Sequence, residues 1–128
     1  MIKLLWIAAG GGVGAVLRYL VAGWVQRLAG EGTFPAGTLA VNGIGCLVIG
    51  LLSAAWAGPH LIREEYRMAV LVGVLGGFTT FSTFGWETFA LLNEGDWARA
   101  ALNVLGSLTL ALLAVWSGYR LGELTFGV

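Results

Sequence analysis

The run Gly76-Gly77-Phe78-Thr79-Thr80-Phe81-Ser82-Thr83-Phe84 places glycines, hydroxyls and aromatic rings inside a long apolar segment. Glycine and β-branched threonine are poor helix formers, so the composition predicts an interruption there. In lipid, an interrupted helix leaves backbone groups that hydrocarbon cannot satisfy. It survives only where protein buries it or where it lines a water-filled cavity. The segment therefore marks a binding or permeation site. Thr80, Thr83, Phe84 and Glu87 follow i, i+3, i+4, i+7 spacing and share a helix face, with Phe81 three residues before Phe84. Alone, two phenylalanines at that spacing are packing residues. Beside hydroxyls and a freed backbone they gain a second use, because the edge of an aromatic ring is the positive part of its quadrupole. Ring edges can face an anion without trapping it as a lysine would, and conduction needs binding weak enough for release.

Other polar groups in the apolar segments are few. Asn42 is the one strongly polar side chain in the body of the second segment, and Asn103 and Ser107 lie four apart on the fourth, hence on one face. Two readings stand open: hydrogen bonds that hold helices together, or a polar lining beside the interruption. Arg18 and Glu87 are ionisable residues within or near the ends of apolar segments, which makes both candidate functional positions. Arg18 either draws anions into a vestibule by its field or snorkels to the interface. Glu87 is a poor direct ligand for an anion, and its role stays open between hydrogen bonding and proton relay.

These residues are carried by four apolar stretches, at about 4–26, 36–57, 67–92 and 98–121, each near the ~20 residues that cross a bilayer. Apolarity in the first continues well past Gly14, which suits a retained helix better than a cleaved signal. The chain is 58% hydrophobic and 11% charged, about half the charge of a soluble domain, so it is read as one all-α membrane-embedded domain over 1–128. Seven basic residues balance seven acidic ones, leaving no surplus to neutralise phosphates, which argues against nucleic acid as partner. Turns are expected at Glu31-Gly32-Thr33-Phe34-Pro35, at Gly58-Pro59-His60 through Arg63-Glu64-Glu65, and at Asn93-Glu94-Gly95-Asp96. Pro35 suits the first turn of the second helix, and Asp96 suits the N-cap of the fourth.

Four spans put Lys3, Arg63, Arg67 and Arg120 on one side and Arg27 and Arg99 on the other, with Arg18 if it snorkels that way. The bias is weak under the positive-inside rule. A chain with so little preference can insert both ways and pair with an inverted copy, as inverted repeats do within larger transporters. A single orientation set by the small excess is the alternative. The glycines inside the spans, among them Gly10, Gly11, Gly12, Gly14, Gly43, Gly45 and Gly50, suit close helix packing. Gly10-x-Gly12-x-x-Ala15 mimics a dinucleotide-binding turn but lacks its βαβ setting. The single cysteine, Cys46, permits no disulfide framework and is read as a small packing residue. No HExxH, GxSxG or phosphate-binding loop is present, so nothing supports an enzyme.

Taken in order, Gly11-Gly12-x-Gly14-Ala15-x-x-Arg18-Tyr19, then Pro35-x-Gly37-Thr38-Leu39-x-Val41-Asn42, then the Gly76 to Phe84 run with Glu87, resemble the Fluc-type fluoride channels, or CrcB proteins, of bacteria. The resemblance covers nearly the whole chain. It implies an antiparallel, dual-topology homodimer of four-helix subunits in the bacterial inner membrane, surrounded by lipid, with two fluoride pores built jointly. It implies that the third helix breaks at the glycine pair and that the two breaks cross at the dimer centre. There, by the same resemblance, the backbone carbonyls of Gly76 and Thr79 from each copy hold a structural sodium ion. Phe81 and Phe84 match the aromatic box, Asn42 the pore amide and Arg18 the vestibule arginine. Thr80, Ser82, Thr83 and Ser107 are the hydroxyl candidates nearby.

In similar proteins the polar track of the fourth helix often continues where this chain has Ala111 and Val115, and a tyrosine can stand in place of Asn103. These departures bear on the hydration of that part of the pore. The expectation is a passive, fluoride-selective anion channel that lets toxic cytoplasmic fluoride leave. A small dual-topology, proton-coupled cation exporter is the rival. It would normally want a carboxylate in the first span, where this chain has only Arg18.

Overall fold

In the computed structural model, residues 1–30, 34–58 and 62–127 are described, and the described residues form helices and no strand. The helices are α1 (Ile2–Ala29), α2 (Ala36–Ala55), α3 (Glu64–Met68), a wide π-wound turn (Ala69–Leu75), α4 (Gly76–Phe78), α5 (Phe81–Asn93) and α6 (Trp97–Phe126). Among the described residues, four segments are long and apolar enough to cross a membrane: Ile2–Ala29, Ala36–Ala55, Glu64–Asn93 and Trp97–Phe126. This is the expected all-α, four-span architecture. The first and last helices run past the expected ends, because hydropathy marks the hydrocarbon slab whereas the helix continues until its terminal groups find caps.

Helix ends follow local chemistry. Pro35 precedes α2 as its N-cap residue, and the Asp96 side chain caps α6 by accepting from the Arg99 N–H at 3.1 Å. Gly95 turns the chain between α5 and α6 with φ +79°, a left-handed value that favours glycine. Asn93, expected in that turn, closes α5, and Glu64 and Glu65, expected in a loop, open α3. Acidic residues in a first turn complement the helix dipole. The expected turn residues Glu31, Gly32, Thr33, Pro59 and His60 lie outside the described residues.

Packing is built on two seams where backbones nearly touch. Along the first, α1 lies against the π-wound turn and α4. A Cβ on Gly14 would collide with the Val74 carbonyl, and one on Gly73 would meet the Ile7 carbonyl at 2.8 Å. Along the second, α2 lies against α6: a Cβ on Gly50 would strike the Val115 carbonyl, and one on Gly118 the Leu47 carbonyl. Lipid gives helices no hydrophobic reason to associate, so close approach through small residues supplies the attraction.

One end of the bundle is fastened by charge and aromatic contact. Lys3 pairs with Glu64 at 3.1 Å, Trp6 meets Tyr66 edge-on at 5.5 Å, and the Arg67 guanidinium lies over the Trp56 ring at 5.8 Å. The N-terminus and the start of the third span therefore share an end, as the four-span count requires. By contrast α5 packs sparsely on the rest of the chain, and its Phe81, Trp86 and Phe89 are exposed.

Candidate ion pathway

The third span is interrupted at Thr79 and Thr80, not at Gly76-Gly77. Thr79 is extended (φ −87°, ψ 159°), as is Thr80 (φ −152°, ψ 123°). Gly76, Gly77 and Phe78 remain helical. Glycine permits a break without forcing one; here Thr80 supplies it, because its polar groups find partners outside the helix, whereas the Thr79 N–H and hydroxyl still bond the Leu75 carbonyl. The Thr80 N–H donates to Asn42 Oδ1 at 2.8 Å, and Asn42 Nδ2 donates to the Thr80 carbonyl at 3.0 Å. The Thr80 hydroxyl oxygen accepts from the Thr83 N–H at 3.2 Å and so caps α5.

The gap brings two opposite half-charges face to face. The C-terminal end of α4 presents unbonded carbonyls, and the N-terminal end of α5 presents unbonded N–H groups. Among the described residues no backbone N–H reaches the carbonyls of Gly76, Gly77 or Phe78 across the gap. Among the described residues the Thr79 carbonyl accepts only from Arg18 Nη1, at 3.4 Å. Discontinuous helices in membranes use such ends for ions of both signs. Among the described residues no three His, Cys, Asp or Glu side chains converge. A cation here would be held by carbonyl oxygens, which suit a hard ion; the free carbonyl of Gly76 and the nearly free one of Thr79 fit that use.

A cavity of about 450 Å³ opens beside the gap. Its wall includes Asn42, Thr79, Thr80, Phe81, Phe84 and Ser107, so most of the expected site residues converge. Phe81 and Phe84 lie 5.5 Å apart, tilted by 41°. Phe81 is 82% exposed. Gly76 also borders the cavity, whereas Ser82, Thr83 and Arg18 do not. The Ser82 and Thr83 hydroxyls instead lie 3.4 and 3.1 Å from the Thr80 hydroxyl. Arg18, half-buried, reaches the broken backbone at the Thr79 carbonyl.

Sequence reading missed several partners. Thr38 donates to Glu87 Oε1 at 2.7 Å across 49 residues of sequence, and Glu87 Oε2 is buried without a hydrogen-bond partner among the described residues. Asn103, only 1% exposed, donates to Thr88 Oγ1 at 3.0 Å and lies 3.5 Å from the Ser107 hydroxyl, which donates to it. Gln26 accepts from the Gly37 N–H at 3.1 Å and donates to the Phe34 carbonyl at 3.0 Å. With Glu87 and Glu94 it borders a second cavity of about 300 Å³. The Asn103–Ser107 spacing and the intramembrane position of Glu87 were the sequence signals for this, and neither named the partner across the bundle.

An α-helical, multi-pass membrane protein whose third span is discontinuous beside a polar-edged cavity is the class these features define. The chain belongs to the CrcB-like family: the family model described as CrcB-like protein, Camphor Resistance (CrcB), matches residues 5–119. A relative from Geobacter sulfurreducens named fluoride-specific ion channel FluC is 52% identical over 118 residues, 92% of this chain and 94% of its own. One of the same name from Opitutus terrae is 50% identical, covering 90% of this chain and 88% of its own. Another from Agrobacterium fabrum is 44% identical over 98% of this chain and all of its own length.

Proposed function

We propose that this protein is a passive fluoride-selective anion channel that exports cytoplasmic fluoride across the bacterial inner membrane. The working unit is an antiparallel homodimer with two pores and a central structural sodium ion, and it is not an enzyme. The observation that carries the reading is the gap at Thr79–Thr80. It places the positive end of α5 beside a cavity lined by an amide, hydroxyls and two phenylalanine rings. The names of the curated relatives support fluoride as the ion.

A small, strongly hydrated anion crosses only if donors replace its water. Asn42 commits one N–H to the Thr80 carbonyl, and a primary amide has a second to offer. The N–H groups of Phe81 and Ser82, in the first turn of α5, lack helix partners. No lysine borders the cavity, which keeps binding weak enough for release. Phe81, exposed beside this cavity, supports a joint pore wall made with a second copy. Sodium, bound between carbonyls of Gly76 and Thr79 from two copies, would neutralise the negative ends of α4 there.

Fluoride efflux from loaded proteoliposomes, followed with an ion-selective electrode and no proton gradient, tests the reading. Rapid fluoride loss with chloride retained is expected. Efflux that requires a proton gradient would point to the rival proton-coupled exporter, and absence of flux from monodisperse protein would dismiss a channel.

A further inference from the structure

An uninterrupted α-helix would satisfy the Gly76 carbonyl with the Thr80 N–H and the Thr79 carbonyl with the Thr83 N–H, four residues on in each case. Both donors are present and both are turned elsewhere. The Thr80 N–H goes to Asn42 Oδ1 at 2.8 Å, and the Thr83 N–H to the Thr80 hydroxyl oxygen at 3.2 Å. Those two diversions release the same two carbonyls that the sodium reading employs. The neighbouring carbonyls of Gly77 and Phe78 lose their donors only because Phe81 and Ser82 start a new helix.

We infer that Asn42 and the Thr80 hydroxyl are positioning residues for a monovalent cation, each drawing off the one N–H that would otherwise cap a carbonyl ligand. This rests on the sodium reading proposed above. The Asn42 side chain does more than edge the pore: it holds the Thr80 peptide by both its N–H and its carbonyl. The Thr80 hydroxyl is fixed in turn, with its proton directed to Thr83 Oγ1 at 3.1 Å, so its lone pairs remain available to the Thr83 N–H. Arg18 is the other cationic group at these carbonyls. Its contact with the Thr79 oxygen is long, and a carbonyl has a second lone pair to give.

The test is sodium affinity, read as the sodium dependence of melting temperature in detergent-purified full-length protein, with N-methylglucamine as the replacement cation. Wild type establishes whether sodium stabilises the protein at all; no dependence there sinks the sodium reading itself. Given a dependence, Thr80→Val should weaken apparent sodium affinity about five- to tenfold, the worth of one net hydrogen bond now competing for the carbonyl. Thr80→Ser, which keeps the oxygen, should restore it. Asn42→Leu should weaken it by at least as much, and decides the matter if Thr80→Val is not monodisperse. Unchanged affinity in Thr80→Val or in Asn42→Leu overturns the inference. So does an equal loss in Thr80→Ser and Thr80→Val, which would assign the effect to shape and not to the hydroxyl.

Discussion

The side-chain amide of Asn42 stands in for the helix at Thr80: its oxygen takes the Thr80 N–H at 2.8 Å and its nitrogen feeds the Thr80 carbonyl at 3.0 Å. One residue from the second span thereby satisfies both backbone groups of a residue 38 positions later. Thr80 is buried, so an unsatisfied peptide there would be costly.

Removing that amide should therefore be felt as lost stability. Asn42→Leu leaves the Thr80 carbonyl unpaired and returns the Thr80 N–H to the Gly76 carbonyl, and about 1–3 kcal/mol of destabilisation is expected. Thermal melting in detergent checks it. Wild-type melting would mean that the break finds other partners without cost.

Ring edges carry the next expectation. Phe81→Ile and Phe84→Ile should each slow fluoride efflux about tenfold, the rate equivalent of an interaction on the order of 1 kcal/mol. Phe81 is largely exposed on the chain, so Phe81→Ile should leave the protein folded and monodisperse by size-exclusion chromatography. Undiminished flux in both variants would remove the rings from the pathway.

Gly14 and Gly12 offer a paired test of the first seam. A Cβ at Gly14 would run into the Val74 carbonyl, which is backbone and cannot swing aside, whereas nothing lies within 4 Å of one at Gly12. Gly14→Ala should destabilise by on the order of 1–3 kcal/mol, and Gly12→Ala should stay within about 0.5 kcal/mol of wild type. Equal melting temperatures for the two would contradict the close approach of α1 to the third span.

Arg18 bears no resolved ion-pair partner; its one described hydrogen bond is to the Thr79 carbonyl. Its charge should raise the local anion concentration through its field, an effect that salt screens. Arg18→Gln is expected to lower fluoride flux about three- to tenfold at low ionic strength, with the difference shrinking at high salt. A deficit independent of salt would assign Arg18 to holding the break and nothing more.

The four spans were legible because hydropathy and length are properties of contiguous sequence. So was the existence of a break, since Thr79-Thr80 in an apolar run is an unusual choice. Its position was not. Gly76-Gly77 is the weaker helix former, yet both glycines stay helical because the competing partners sit at Thr80, and one of those partners, Asn42, is remote in sequence. The π-wound turn at Ala69–Leu75 left no trace for the same kind of reason: Ala-Val-Leu-Val-Gly-Val-Leu reads as an ordinary helix until the backbone of α1 is set beside it. The Thr38–Glu87 bond joins residues 49 apart, and no local pattern announces such a pair. Ser82 and Thr83 share the composition of the site but spend their hydroxyls on Thr80.

Thr38 and Asn42 lie one turn apart on α2, and their partners Glu87 and Thr80 appear in reverse order along α5. Together with the bond from Asn103 to Thr88, they form three polar latches on a half-helix with little else to grip. A twist of α5 about its own axis by a single residue, roughly 100°, would release all of them together, with hydrocarbon offering no substitute. The azimuth of this half-helix is thus set by those three bonds, like a key in its wards.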